Sequence, residues 1–133
     1  MLFVKMMRKR ILIVDDESDI VRTIQLSLET NDYEVITAVD GREALDEIYN
    51  RNPDLIILDV MLPDIDGYEL SRRLKDNQRH KNIPIMILTA RAQKLDQKLW
   101  RRSKADLWMV KPFDLNVFMG NIQKLLGDRT ERS

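Results

Sequence analysis

Five polar residues in this 133-residue chain follow short apolar runs and could act together chemically. They are Asp15 and Asp16 after RILIV, Asp59 after LIIL, Thr89 after PIMIL, and Lys111 after LWMV. Burying an unpaired charge is costly, so Asp59, the first charge after an apolar run, needs a compensating partner. Among the other four residues Lys111 offers a positive charge and Thr89 a hydroxyl, whereas Asp15 and Asp16 add further negative charge.

Three carboxylates in one place repel each other and raise at least one pKa unless a cation binds. Several carboxylate oxygens suit a hard divalent ion, Mg²⁺ or Mn²⁺. The Lys111 ammonium and the Thr89 hydroxyl could each bind a phosphoryl oxygen, and the small Ala90 leaves its backbone N–H accessible. No cysteine or histidine is placed to act as a nucleophile, so a carboxylate is the natural one, and it would form an aspartyl phosphate.

Five apolar strands alternating with five amphipathic helices would position these residues. The predicted strands are Arg10–Val14, Glu34–Val39, Asp54–Leu58, Pro84–Leu88 and Leu107–Val110. The predicted helices begin near Ser18, Asp40 (with Glu43 as a capping box), Asp66, Gln93 and Asp114. Continuously apolar strands indicate a parallel sheet covered on both faces, an open doubly wound α/β fold. Its ligand site lies at the carboxyl ends of the strands, and Asp59 follows the central one.

The length predicts one domain, which we place at residues 10–127, between a basic N-terminal arm (1–9) and a polar tail (128–133). The absence of cysteine excludes disulfides and thiolate metal sites. We find no signal peptide and no transmembrane run, and we therefore expect a cytoplasmic protein without a membrane partner.

The net charge is zero, but the charges are segregated along the chain. Residues 11–66 contain 15 acidic and 3 basic residues, whereas residues 67–111 contain 4 acidic and 12 basic residues. Solvated helix faces explain most of this pattern, and an acidic site with a separate basic docking face is the alternative.

Four segments resemble, in order and spacing, the receiver domain of two-component response regulators, including the chemotaxis-regulator-like members. They are ILIVDDE (11–17), PDLIILDVMLPDIDG (53–67), PIMILTA (84–90) and MVKPF (109–113). The resemblance runs from about Arg10 to Leu126. It implies a flavodoxin-like fold in which the five parallel strands have the order 2-1-3-4-5.

The resemblance also implies a magnesium-dependent phosphoacceptor. Asp59 matches the residue that is phosphorylated. Asp16 and Asp59 match the Mg²⁺ side-chain ligands, with the backbone carbonyl of Met61 as a third protein ligand. Asp15 matches the acid that assists, often through a metal-bound water.

Other matched positions imply a phosphoryl-binding and switching group. Lys111 matches the lysine that holds a phosphoryl oxygen, and Pro112 follows it through what is usually a cis peptide. Ala90 matches the position whose backbone N–H contacts the phosphoryl group. Thr89 matches the switch hydroxyl, and Trp108 occupies the place of the switching aromatic.

Four positions depart from the common pattern of the family. Trp108 is bulkier than the usual tyrosine or phenylalanine, so switching by a rotamer change is in question. Lys104 replaces a frequent glycine before the fifth strand. Met61 and Arg91 lie at variable positions that can influence hydrolysis of the aspartyl phosphate.

The function implied is a signalling switch, and not an enzyme beyond catalysing its own phosphorylation and slow dephosphorylation. A histidine kinase or a phosphotransfer protein would donate the phosphoryl group. Phosphorylation would change binding to a downstream protein or homodimerisation through the fourth helix, fifth strand and fifth helix. Only a short tail follows Leu126, so we expect a stand-alone regulator or the receiver half of a DNA-binding regulator.

Three other functions are weighed against this one. A phosphohydrolase with an aspartyl nucleophile commonly has a second Asp two residues later, where this chain has Met61. A flavodoxin-like cofactor binder would need a glycine loop that binds the cofactor phosphate, and this sequence has no such loop. The basic residues around Lys98 lack the interleaved aromatic residues of a nucleic-acid-binding site. His80, the only histidine, lies in a polar loop, and we expect it to have no phosphorelay role.

Overall fold

A computed structural model describes residues 8–90 and 94–127 of the chain. The strands are β1 Arg10–Val14, β2 Glu34–Ala38, β3 Leu55–Asp59, β4 Ile85–Thr89 and β5 Leu107–Val110. The helices are α1 Ser18–Thr30, α2 Gly41–Arg51, α3 Gly67–Lys75, α4 Lys94–Ser103 and α5 Leu115–Leu126. Strands and helices alternate throughout, as the apolar pattern predicts.

The five strands form one parallel sheet in the order β2-β1-β3-β4-β5. The central strand β3 pairs with β1 on one side and β4 on the other, so that Ile57 lies opposite both Ile13 and Met86. The predicted fold class and strand order are therefore confirmed.

The two faces of the sheet carry separate apolar cores because alternate strand residues point to opposite sides. One core packs the sheet against α2 and α3 through buried residues such as Leu12, Ile56, Ile48 and Leu70. The other packs it against α1 and α5 through Ile13, Ile57, Ile24, Leu28, Phe118 and Ile122. Both faces of β3 are covered, which explains its uninterrupted apolar sequence.

Three helices begin with the aspartate cap that the sequence predicts. The carboxylates of Asp40, Asp66 and Asp114 accept backbone N–H bonds at the starts of α2, α3 and α5. The carboxylate of Glu43 accepts from the N–H of Val39, one residue before the expected capping-box partner.

The predicted N-cap at Ser18 is wrong. Ser18 is the first residue of α1, and Glu17 occupies the cap position without making a side-chain capping bond. The reason is that the helical hydrogen bonds begin one residue earlier, with the N–H of Val21 donating to the carbonyl of Glu17 at 3.1 Å, while the Glu17 carboxylate is hydrogen-bonded to Lys111.

The two central strands end one residue later than predicted. Asp59 and Thr89 are the last residues of β3 and β4, because the hydrogen bonds of the sheet continue past them. Val60 donates its N–H to the carbonyl of Leu88 at 3.3 Å, and Lys111 donates its N–H to the carbonyl of Thr89 at 2.7 Å.

Two local features follow from backbone geometry. Lys104 has φ 59°, the left-handed conformation for which the glycine common at this position would be suited. The peptide bond between Lys111 and Pro112 is cis, as the resemblance implies.

His80 is buried, although the sequence places it in a polar loop. The turn after α3 directs its ring under Tyr49 of α2, where the two rings meet edge to face with centroids 5.4 Å apart. No helix in the described part of the chain is both long enough and apolar enough to cross a membrane.

Several predictions concern residues that the structure does not describe. Residues 1–7 of the predicted arm, the predicted tail 128–133, Arg91 and the predicted helix start at Gln93 lie outside the described residues.

Candidate functional site

The carboxyl edge of the sheet brings together three of the predicted site residues. The side chains of Asp15 and Asp59, at the ends of β1 and β3, are 1% and 8% exposed. The Nζ atom of Lys111, just after β5, lies 3.2 Å from Oδ2 of Asp15 and 3.6 Å from Oδ1 of Asp59. These residues meet because β1 and β3 are neighbours and the residue after β5 lies at the same end of the parallel sheet.

Glu17 completes this cluster, although the sequence pattern does not single it out. Its Oε1 atom lies 3.1 Å from Nζ of Lys111. Its backbone N–H donates to Oδ1 of Asp15 at 2.9 Å. The available signal is its place as the third acid of the run Asp15–Glu17, but no spacing rule links it to a lysine 94 residues away.

The Asp59 carboxylate is poorly stabilised in its charged form. Burial and the nearby charge of Asp15 raise its pKa to about 6, although Lys111 and a backbone N–H of Met61 oppose the shift. A carboxylate with a pKa near 6 is mostly ionised at neutral pH, and a nearby positive charge would strongly stabilise its ionised form. This is the electrostatic condition that a bound cation would relieve.

Lys111 is positively charged in this site. Burial alone would lower its pKa, but the charges of Asp15 and Asp59 and its hydrogen bonds to Glu17 and Asp15 raise the pKa above the ordinary lysine value. The ammonium is therefore a permanent positive charge beside Asp59 across the physiological range.

The segment between β3 and α3 holds Asp59 in place. The N–H of Gly67 donates to the carbonyl of Val60 at 2.8 Å, which folds the segment back on the end of β3. A β-carbon on Gly67 would lie only 2.2 Å from the carbonyl oxygen of Asp59, so only glycine fits this approach.

Asp64 ties the same segment to α2. Its carboxylate accepts the backbone N–H groups of Gly41 and Arg42 at 2.8 and 3.0 Å. These bonds at the helix N-terminus lower the pKa of Asp64. The loop between β3 and α3 is thus held against β3 at Gly67 and against α2 at Asp64.

Thr89 is the last residue of β4, and Trp108 lies on β5 opposite Ile87, two residues before Thr89. Thr89 is buried, and it is one residue beyond Leu88, the partner of Asp59 in the sheet. Trp108 is half-buried and stacks on Trp100 of α4 with ring centroids 5.7 Å apart. Ala90 follows Thr89 and is exposed. The switch and phosphoryl-binding roles of these three positions stay predictions.

The acidic cluster fits a divalent cation. Asp15, Glu17 and Asp59 each offer a carboxylate oxygen, and these oxygens lie within 4.8 Å of one another. The third carboxylate of this cluster is that of Glu17, whereas the sequence predicts Asp16 as a metal ligand. Asp16 is exposed and lines a shallow pocket with Met61, so its role as a ligand, like that of the Met61 carbonyl, stays a prediction.

Comparison with known proteins gives a consistent family. A family model described as the response regulator receiver domain matches residues 11–123. The alkaline phosphatase synthesis transcriptional regulatory protein PhoP of Bacillus subtilis is 43% identical over 90% of this chain and 49% of its own length. Response regulator ArlR of Staphylococcus saprophyticus is 36% identical over 93% of this chain and 55% of its own length. The chain thus spans about half the length of these curated relatives.

A solved structure supports the same family. The receiver domain of a signal transduction histidine kinase from Syntrophus aciditrophicus has a TM-score of 0.86 and 32% identity. The match covers 90% of this chain and 91% of that one.

Proposed function

The chain belongs to the response regulator receiver domain family, and from this premise we propose that it is a switch that accepts a phosphoryl group on Asp59. The donor is a histidine kinase, a phosphotransfer protein or a small acyl phosphate. The observation that carries this proposal is the contact geometry of Lys111 with Asp15, Glu17 and Asp59, all at the carboxyl edge of the sheet.

Asp59 is the group best suited to act as the nucleophile. Its oxygen forms a bond to phosphorus while the bond from phosphorus to the donor atom breaks and the electron pair leaves with the donor. The pKa of about 6 leaves the carboxylate ionised at neutral pH, and burial limits its hydration. Lys111, already positioned 3.6 Å from Asp59, can bind an incoming phosphoryl oxygen.

Magnesium is the cation that the donor set fits, with Mn²⁺ as an alternative. We propose Asp16, Asp59 and the Met61 carbonyl as its protein ligands, with Asp15 acting through a water. A bound ion would supply the positive charge that the acidic cluster and the phosphoryl oxygens require. The chain's own contribution is to hold the carboxylates together and to keep Lys111 charged beside them.

The effect of phosphorylation on partner binding would begin at the residues next to Asp59. Thr89 would move its hydroxyl toward the phosphoryl group, and the backbone N–H of Ala90 would donate to it. The resulting change in β4 would reach Trp108 and the surface formed by α4, β5 and α5. We propose that this surface binds a downstream protein or a second copy of the chain only after phosphorylation.

The whole protein's role is also a proposal. PhoP of Bacillus subtilis is named a transcriptional regulatory protein, and this chain matches about half of it. We propose that the chain acts as a cytoplasmic regulator, either by itself or as the receiver half of a DNA-binding regulator. In both cases contact with nucleic acid is made by another protein or domain.

Intact-mass measurement after incubation with acetyl phosphate and Mg²⁺ tests the proposal. The wild-type chain should gain one phosphoryl group, and the gain should disappear in Asp59→Asn and in the presence of a chelator. An adduct that persists in Asp59→Asn would refute the assignment of Asp59. Turnover of a phosphomonoester by the wild type would instead support the phosphohydrolase.

A further inference from the structure

Glu17 contacts Lys111 more closely than the proposed phosphoacceptor does. The Nζ atom is 3.1 Å from Oε1 of Glu17 and 3.6 Å from Oδ1 of Asp59. A lysine ammonium has three N–H donors, and two of them are directed to Asp15 and Glu17 at hydrogen-bonding distance. Glu17 therefore holds a donor that a phosphoryl oxygen would need.

The position of Glu17 is set by a closed set of three hydrogen bonds. Oδ1 of Asp15 accepts the Glu17 backbone N–H, Oδ2 of Asp15 accepts from Lys111, and Oε1 of Glu17 accepts from Lys111. The Glu17 side chain also makes no capping bond to α1, although it occupies the cap position. Its carboxylate is thus engaged with Lys111 and with no group of its own helix.

Glu17 is also the one acid of the cluster that can leave. Its side chain is 58% exposed, whereas those of Asp15 and Asp59 are 1% and 8% exposed. Moving Glu17 into solvent costs little because more than half of its side chain is already exposed, and ion pairs of exposed carboxylates stabilise proteins only weakly. Moving either buried carboxylate would disrupt the end of a strand.

We infer that Glu17 is a positioning residue that holds Lys111 in the unphosphorylated protein and is displaced when a phosphoryl oxygen binds there. The inference rests on the proposed function and deepens it. Glu17 competes with the phosphoryl group for Lys111, so it lowers the affinity of the site for phosphoryl groups and slows phosphorylation of Asp59.

Beryllofluoride titration, followed by the fluorescence of Trp100 and Trp108 at saturating Mg²⁺, measures this competition. Glu17→Gln should lower the dissociation constant about two- to five-fold, the range of a weak exposed ion pair. Glu17→Asp keeps the charge but is one methylene shorter, so it should behave like Glu17→Gln. Asp19→Asn, which removes a charge from the first turn of α1, should leave the constant unchanged.

Three results would overturn the inference. If Glu17→Asp binds beryllofluoride like the wild type while Glu17→Gln binds more tightly, Glu17 acts through overall charge and not through its contact with Lys111. If Glu17→Gln weakens Mg²⁺ binding by about tenfold, the loss expected for a coordinating side chain or its close support, Glu17 is a metal ligand. Unchanged beryllofluoride affinity in both variants would also overturn it.

A metal-free readout separates this inference from the proposed function. A double-mutant cycle of Glu17→Gln and Lys111→Met, measured by urea unfolding in chelator, should give a favourable coupling between the two side chains. Additive effects would refute the contact itself. If coupling is present but the wild type neither binds beryllofluoride nor forms an adduct with acetyl phosphate, the proposed function fails, and Glu17 has no phosphoryl group with which to compete.

Discussion

The carboxylate of Asp59 is 8% exposed and shares its surroundings with Asp15 and Glu17, against a single ammonium from Lys111. Burial and the charge of Asp15 make ionisation costly, and the pKa rises to about 6. The residue that makes the site reactive therefore destabilises the metal-free protein. The site thus lowers folding stability while it keeps a carboxylate able to accept a cation and a phosphoryl group.

Asp59→Asn should stabilise the metal-free protein at neutral pH by on the order of 2 kcal/mol, because a pKa unit corresponds to about 1.4 kcal/mol. The raised pKa means that the folded state binds the proton more tightly than the unfolded chain. The cost of the charge is thus full above about pH 6 and disappears as the pH falls towards 3.8. Urea unfolding in chelator measures it.

The stabilisation by Asp59→Asn should shrink in acid. Equal stability of the wild type and Asp59→Asn at neutral pH would show that the Asp59 charge is already compensated without a cation. A gain that grows as the pH falls would contradict the sign of the shift.

The buried ring of His80 should make folding sensitive to mild acid. Burial and the charge of Arg79 lower the pKa of His80, and Nε2 has no hydrogen-bond partner among the described residues. The unfolded chain therefore binds the proton more tightly, so stability is full above pH 6.5 and falls below it. His80→Phe should flatten this decline in urea unfolding.

Asp59 titrates over an overlapping range with the opposite sign, so the effect of His80 is best measured in the Asp59→Asn background. An undiminished acid decline in the double variant would mean that another group is responsible.

At the scale of elements, the segment between β3 and α3 determines where Asp59 lies. Gly67 approaches the backbone of Asp59, Asp64 binds the N-terminus of α2, and Asp66 caps α3. This one loop connects the acidic site to two helices. A change in its backbone should therefore affect folding and phosphorylation together.

Gly67→Ala should destabilise the domain by about 2–3 kcal/mol, because the new β-carbon would overlap the backbone of Asp59 and Val60. It should also slow adduct formation with acetyl phosphate. Gly120→Ala is the matched control. A β-carbon added to Gly120, on the exposed side of α5, would meet no atom of the described residues within 4 Å, so this change should stabilise by about 0.5–1 kcal/mol.

Urea unfolding of Gly67→Ala and Gly120→Ala compares the two changes directly. A Gly67→Ala protein as stable as the wild type would show that the loop can move away from β3 at little cost.

The left-handed residue before β5 offers a stabilising change. Lys104 has φ 59°, a conformation that costs a residue with a β-carbon about 1–2 kcal/mol. Lys104→Gly should remove this cost, although it also removes the contact with Asp76 at 3.0 Å. Lys104→Ala loses the same contact but keeps the β-carbon, so Lys104→Gly should be about 1 kcal/mol more stable than Lys104→Ala. A lower Tm for the glycine variant than for the alanine variant would contradict this expectation.

At the scale of the whole molecule, local sequence patterns are enough to predict the strands, the helices and the doubly wound α/β class, whereas the strand order is predicted from the family resemblance. Apolar runs mark the five strands, and aspartate caps at Asp40, Asp66 and Asp114 mark three helix starts. These signals lie within a few residues of the elements they describe. The carboxyl-edge rule then places Asp15, Asp59 and Lys111 together without any measured distance.

The features that the sequence does not reveal depend on distant contacts. The bond between Glu17 and Lys111 is not predicted, because the carboxyl-edge rule concerns residues at strand ends and Glu17 lies further along the chain, at the start of α1. The burial of His80 is not predicted, because the ring that packs on it, Tyr49, belongs to a different helix. Ser18 is wrongly predicted as the N-cap, because the residues around it do not show that Glu17 takes the cap position and binds Lys111. Such contacts require the folded chain.

Locating the phosphoryl group on the chain tests the central claim most directly. The protein is phosphorylated with acetyl phosphate and Mg²⁺, reduced with borohydride, which converts an aspartyl phosphate to homoserine, and sequenced as peptides by mass spectrometry. We predict homoserine at position 59 and at no other acidic position. Homoserine at Asp15 or Asp16, or an acid-stable phosphate on Thr89 with none at Asp59, would contradict the assignment.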